Sequence, residues 1–148
     1  MDDEVLGRFA HTCFVMHDLR VPSITSFVES FRPNQIACKK WLVEEILNYK
    51  MSWNKVLVIG SWNGVLLYEL LNSYGEVTWF DFLDKDPDTH LHRDLYFNSN
   101  NLEKNYNSLI MDATGFCDYE NYDLIINTSC EHMPNIPAVY GPTYALIQ

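Results

Sequence analysis

The apolar positions of this chain change period in a way that marks out its elements. Val56-Leu57-Val58-Ile59 is an unbroken apolar run, too short for a helix and bounded by Gly60, and it predicts a strand buried on both faces, as in a parallel sheet. Past Gly64 the apolar residues Val65, Leu66, Leu70 and Leu71 recur at helical spacing, so strand, glycine turn and helix follow one another as in the opening of a βαβ unit. Upstream, Ser23 is expected to cap a short helix through Phe31, stopped at Arg32-Pro33 because the residue before a proline is pushed out of the helical region. Asn34 is expected to cap a longer helix over residues 35–49, with Cys38, Trp41, Leu42, Ile46 and Tyr49 on its core-facing side. Residues 5–20 show no clean period. Downstream, Tyr74-Gly75 stops the helix after the turn. A second strand over Val77–Phe80 ends in Asp81, a third over Ser108–Met111 ends in Asp112, and a fourth spans Tyr122–Asn127. The segment from Tyr144 to Gln148 reads as the start of a fifth.

This alternation predicts a single α/β domain, with residues 1–50 a helical segment ahead of a core at 51–148. A chain of 148 residues removes roughly 68–70% of its unfolded surface from water without staples. The cysteines, Cys13, Cys38, Cys117 and Cys130, form no C-x-x-C pair, which favours a reducing, cytoplasmic setting. The N-terminus carries Asp2, Asp3 and Glu4 where a signal peptide needs positive charge, and no apolar stretch approaches bilayer length. Of the net charge of −10, residues 51–148 carry −9 and residues 1–50 only −1. A core that gripped phosphates would carry the opposite sign, so nucleic acid is a disfavoured partner.

The candidate chemistry lies where strands give out. Glycines at 60 and 64 let backbone N–H groups approach a ligand at a helix N-terminus. Asp81, twenty-one residues beyond Gly60, is an acid at the expected tip of the second strand, where it would accept hydrogen bonds from ribose hydroxyls. With Asp112, Asn127, Glu131 and His132 at the ends of later strands, these residues are expected to converge on one crevice at the carboxyl edge of the sheet. Asp84, Asp86 and Asp88 read as a solvated loop. His90 and His92 would share a side in an extended chain, but no third ligand is suggested nearby, and no metal is expected.

Taken together, residues 55–135 resemble a class I, Rossmann-like S-adenosylmethionine-dependent methyltransferase. The family's Gly-x-Gly-x-Gly turn stands here as Gly60-Ser61-Trp62-Asn63-Gly64. The resemblance implies a mostly parallel sheet with helices on both faces and S-adenosylmethionine as cofactor. It implies that the turn holds the methionine part, Asp81 the ribose, and Asp112 with Ala113 the adenine edge. Asn127 and Glu131-His132 would stand beside the methyl group and a small-molecule or protein acceptor, with His132 as general base and Glu131 orienting it. The wording Gly-Ser-Trp, followed later by Asn-Thr-Ser-Cys-Glu-His-Met, also looks like a partly phage-borne branch of that family.

Three departures shape the expectation. Trp62 replaces the middle glycine, Val58 replaces an acid common in the first strand, and the chain stops near the fifth strand, so the fold is expected to be C-terminally incomplete. An open edge there would be closed by a second copy or another partner. The alternative reading is a catalytically inactive Rossmann-like module that binds a nucleoside or a protein. A nicotinamide-dependent oxidoreductase suits the position of Asp81 but not the glycine spacing.

Overall fold

The structure, a computed structural model, describes residues 2–128 and 141–146. Helices α1 (Asp3–Asp18), α2 (Ile24–Glu29) and α3 (Pro33–Tyr49) lead into β1 (Ser52–Ile59), α4 (Val65–Tyr74), β2 (Glu76–Asp84), α5 (Pro87–Ser99) and β3 (Tyr106–Ile110). Two 3-10 helices, Ala113–Gly115 and Tyr119–Asn121, precede β4 (Leu124–Asn127) and β5 (Thr143–Leu146). The strands form one sheet in the order β3-β2-β1-β4-β5, and every pairing is parallel. The order reverses between β1 and β4, which makes their carboxyl ends the topological switch point of an open α/β sheet. The expected fifth strand is present, beginning one residue earlier, at Thr143. No helix of the described residues is long and apolar enough to cross a membrane.

The period-two alternation of β1 divides the core. Val56 and Val58 join Phe80, Phe82, Leu124 and Ile126 on one face, where the buried residues of all five α-helices lie. Leu57 and Ile59 join Leu83, Ile125, Ala113, Tyr119 and Tyr122 on the other, beside the two 3-10 helices. The four-residue apolar run of β1 is fully buried, as a strand covered on both faces requires.

Three local expectations are corrected. Residues 3–18 form a regular helix: Asp2 caps it by accepting from the Glu4 amide, and Val5, Phe9, Cys13 and Met16 make its inner stripe. The outward Leu6, Phe14 and Leu19 blur that period in the sequence. Helix α3 starts two residues before the expected span, with Arg32 as its cap and Pro33 at its first position, where the missing N–H costs nothing. Its buried face is Leu42, Val43, Ile46 and Leu47, turned against α4, whereas Trp41 and Tyr49 are 55% and 73% exposed. The segment after Asp86 is helical rather than extended, because Asp86 caps it and Pro87 opens it. His90 and His92 therefore point apart.

The second strand continues three residues past Asp81. Asp81 sits in mid-strand on the second face, buried, and accepts from the Tyr122 hydroxyl at 2.6 Å and the Trp79 indole at 2.9 Å, with Lys55 Nζ at 3.8 Å. It is a sheet residue, not the acid at the strand tip.

Candidate functional site

Strand β1 ends at Ile59 and the chain turns through five residues before α4. Three of them, Gly60, Trp62 and Gly64, hold positive φ of 60°, 55° and 70°. Glycine meets that requirement freely at 60 and 64, while Trp62 carries the strain of an L side chain in the left-handed region. The turn is tied on every side. The Ser61 amide donates to Leu83 O at 3.1 Å, the Trp62 amide to Asp84 Oδ2 at 3.0 Å, and Thr128 Oγ1 to Gly60 O at 3.1 Å. Asn63 caps α4 from one residue upstream, with Oδ1 accepting from the Val65 amide while Nδ2 donates to Ser30 Oγ.

Above the turn lies a cleft of about 400 Å³, in the size range of small-molecule sites. It is lined by the Gly60–Gly64 turn, by Asp84, Asp86, Thr89 and Thr128, by Ser26 of α2 and Ser30 just after it, and by Gln35 and Lys39 of α3. The Trp62 indole is half-buried in this wall and donates from Nε1 to Ser26 Oγ at 2.9 Å, which joins the turn to α2. Asp84, at the tip of β2, also accepts from the Asp86 amide at 2.9 Å, so its carboxylate is oriented from two directions. Lys39 is half-buried, its amine pKa is pushed down by desolvation, and Nζ donates to the neutral Gln35 amide oxygen at 3.4 Å.

Beneath the turn, Arg93 and His90 of α5 form a buried pair. Arg93 NH1 donates to His90 Nδ1 at 2.9 Å, and His90 Nε2 reaches Asp84 O at 2.9 Å, so the imidazole is the neutral tautomer with its proton on Nε2. Burial, and then the Arg93 charge, push the His90 pKa below its ordinary value, against the opposing hydrogen bond to Asp84 and the charges of Asp84 and Asp94. The unfolded chain takes up this proton near pH 6.5, and the folded chain only at lower pH, so the stabilisation is complete above about 6.5 and drains away on acidification. We expect the wild-type unfolding free energy, followed by urea titration from pH 7.5 to 5, to fall more steeply than that of His90→Gln, by at most about 1.4 kcal/mol per pH unit. Glutamine can make both hydrogen bonds without titrating, and equal slopes would exclude His90 as the source.

The sequence candidates are sorted by this geometry. Gly60, Ser61, Trp62 and Gly64 all line the cleft. Asn127 is buried at the end of β4, paired in register with Ile59 beside the turn. Asp112 is exposed and caps the first 3-10 helix through the Thr114 amide and hydroxyl, which hold its pKa below the usual value. Ala113 is buried in the second core cluster, and neither residue lines the cleft. Glu131 and His132 lie outside the described residues. Sequence reasoning passed over Asp84, Thr128, Lys39 and Arg93. The apolar pair Phe82-Leu83, continuing the strand beyond Asp81, was the available signal for Asp84.

No protein-family model and no curated protein matches the chain. Solved structures do. The chain is similar to a candidate sarcosine dimethylglycine methyltransferase from Galdieria sulphuraria, with TM-score 0.56, 21% identity, and coverage of 68% of this chain and 39% of that one. It is similar to a candidate S-adenosyl-L-methionine-dependent methyltransferase from Methanococcus maripaludis, with TM-score 0.52, 17% identity, and coverage of 68% and 47%. The N-methyltransferase NodS from Bradyrhizobium japonicum, solved with S-adenosyl-L-homocysteine, aligns with TM-score 0.51, 18% identity, and coverage of 65% and 45%. The chain spans less than half the length of each of these three. What the likeness shows is the fold: a Rossmann-like sheet of the kind found in class I S-adenosylmethionine-dependent methyltransferases.

Proposed function

We propose that this chain is an S-adenosylmethionine-dependent methyltransferase acting on a small-molecule or protein acceptor. One observation carries the reading: a turn with three left-handed positions and the acid at the tip of the neighbouring strand meet around one cleft at the switch point of the sheet. The donor set fits the cofactor. On this reading Asp84 would accept from ribose hydroxyls, and the Gly60–Gly64 turn would meet the amino-acid part. When bound, S-adenosylmethionine supplies an electrophilic sulfonium methyl. The protein's share is to hold the acceptor in line with it and exclude water. His132 is proposed as the general base for an O–H or N–H acceptor, with Glu131 orienting it. Asp84 and Asp86 among the cleft-lining residues weigh against a nucleic-acid acceptor, and the unpaired Cys13, Cys38 and Cys117 suit a reducing compartment.

The test is titration calorimetry of the whole chain with S-adenosylhomocysteine. Binding is expected with a Kd well below millimolar, and no heat at millimolar ligand would overturn the proposal. A second reading, a module that binds the nucleoside without transferring methyl, is favoured by Trp62, whose side chain ties down the cleft wall where the resembled family has a glycine. Bound cofactor with no labelled methyl in any acceptor fraction would support it, and a labelled product would remove it.

A further inference from the structure

All five N–H donors of the Arg93 guanidinium are used, and three of the five acceptors belong to the cleft's turn. Nε donates to Asn63 O at 2.7 Å, NH2 to Trp62 O at 3.2 Å and to Ser61 Oγ at 3.3 Å. NH1 donates to Ser108 Oγ and His90 Nδ1, each at 2.9 Å. The guanidinium carbon lies 4.1 Å from the centre of the Phe82 ring and 5.6 Å from that of Tyr106. Arg93 is fully buried, and none of the ion pairs of the described residues includes it. Burying a cation with no carboxylate in direct contact is costly, and burial pulls this one down to a pKa of about 10 against the raising influence of Tyr106, Asp94 and Asp84. A methionine in its place would avoid that cost but leave the carbonyls of Asn63 and Trp62 without this donor.

We infer that Arg93 is the positioning residue of the cleft: it clamps Ser61, Trp62 and Asn63 in the left-handed turn, and His90 completes the clamp as its neutral acceptor. The carbonyls of Trp62 and Asn63 both accept from the guanidinium, and these bonds offset the strain at Trp62. His90 joins the clamp to Asp84, because its Nε2–H is bound to the backbone carbonyl of the residue whose carboxylate holds the Trp62 amide. The charged groups acting on His90 are Arg93 and Asp94 from its own helix and Asp84 from β2. Protonating Nδ1 removes Arg93's acceptor and sets two cations side by side, so acid loosens the turn. That the clamp serves a cofactor rests on the methyltransferase reading; the clamp itself does not.

The experiment is amide hydrogen exchange on the whole chain, comparing Ser61 and Trp62 with Val58 and Ile126 in the flanking strands. In Arg93→Met we expect exchange at Ser61 and Trp62 to rise at least tenfold with the strand amides unchanged, and in Arg93→Lys the rise should be smaller. A uniform rise through the sheet, or none at the turn, overturns the inference. Should Arg93→Met fail to fold, the wild-type chain carries the test. Its turn amides, corrected for the intrinsic pH dependence of exchange, should speed up between pH 7.5 and 5 while those of His90→Gln do not, and an identical acid response in both overturns the role of His90. Where S-adenosylhomocysteine binds, Arg93→Lys should weaken it at least tenfold, and unchanged affinity overturns the positioning role. Absence of ligand binding to the wild type would defeat the methyltransferase reading while leaving the exchange result to decide the clamp.

Discussion

Replacing Gly64 by alanine is expected to destabilise the protein by about 2–4 kcal/mol, through left-handed strain together with overpacking. The residue holds φ of 70°, and a Cβ built there falls 2.4 Å from Phe82 Cε1 and 2.6 Å from Cδ1. Neither conflict can relax cheaply. Phe82 is completely buried, stacked on Phe80 with ring centres 5.3 Å apart, and covered by the Arg93 guanidinium. Moving the ring would disturb the clamp under the turn. Gly7→Ala is the matched control, since it lies inside α1 with nothing within 4 Å of its added Cβ and should gain about 0.5–1 kcal/mol from helix propensity. Urea unfolding of the two variants measures both. A Gly64→Ala protein within about 1 kcal/mol of wild type would mean that the turn is not packed as described.

On the proposed methyltransferase reading, replacing Asp84 by alanine is expected to weaken S-adenosylhomocysteine binding by about a hundredfold or more, since Asp84 would there accept two charge-assisted hydrogen bonds from ribose hydroxyls. The same change frees the Trp62 amide, so the turn loses a tie as well. Asp81→Asn should behave in the opposite way. Its amide would face the Tyr122 hydroxyl and the Trp79 indole, both donors, and would lose the charge opposite Lys55. That should cost about 1–3 kcal/mol of stability, as a mismatched buried polar group does, and leave affinity within about threefold. Calorimetry and urea unfolding on both variants decide which acid serves the site. Reduced affinity in Asp81→Asn with none in Asp84→Ala would give the proposed ribose role to Asp81 instead.

The difference between these two acids shows how far the sequence could be read. An acid about twenty residues past the first glycine was a sound signal for the tip of the second strand, but strand length is set by pairing. Residues Leu83 and Asp84 are held in β2 by Leu109 and Ile110 of β3, a contact between segments whose register no local pattern states. The histidines show the same limit from another side. His90 and His92 were read as alternate positions of an extended chain, whereas Asp86 and Pro87 start a helix that brings His90 and Arg93 to one face, one turn apart. The charge run Asp84, Asp86 and Asp88 read as a solvated loop, and Asp86 is indeed exposed while it caps α5, but Asp84 faces the cleft and Asp88 accepts from Ser23.

By itself the sequence determined the order and type of the central elements, because a change of period from two-sided apolar runs to helical spacing is a local property of the chain, and it placed Gly60 to Gly64 at the joint between them. It also carried the resemblance whose fold the structure shares. Tertiary structure alone decided which acid reaches the cleft, that the Trp62 indole is tied to Ser26 of α2, and that a buried arginine thirty positions away hydrogen-bonds that turn. Those outcomes depend on strand register, on where α2 and α5 dock, and on where a buried charge finds five acceptors at once, and each is settled only when distant parts of the chain meet.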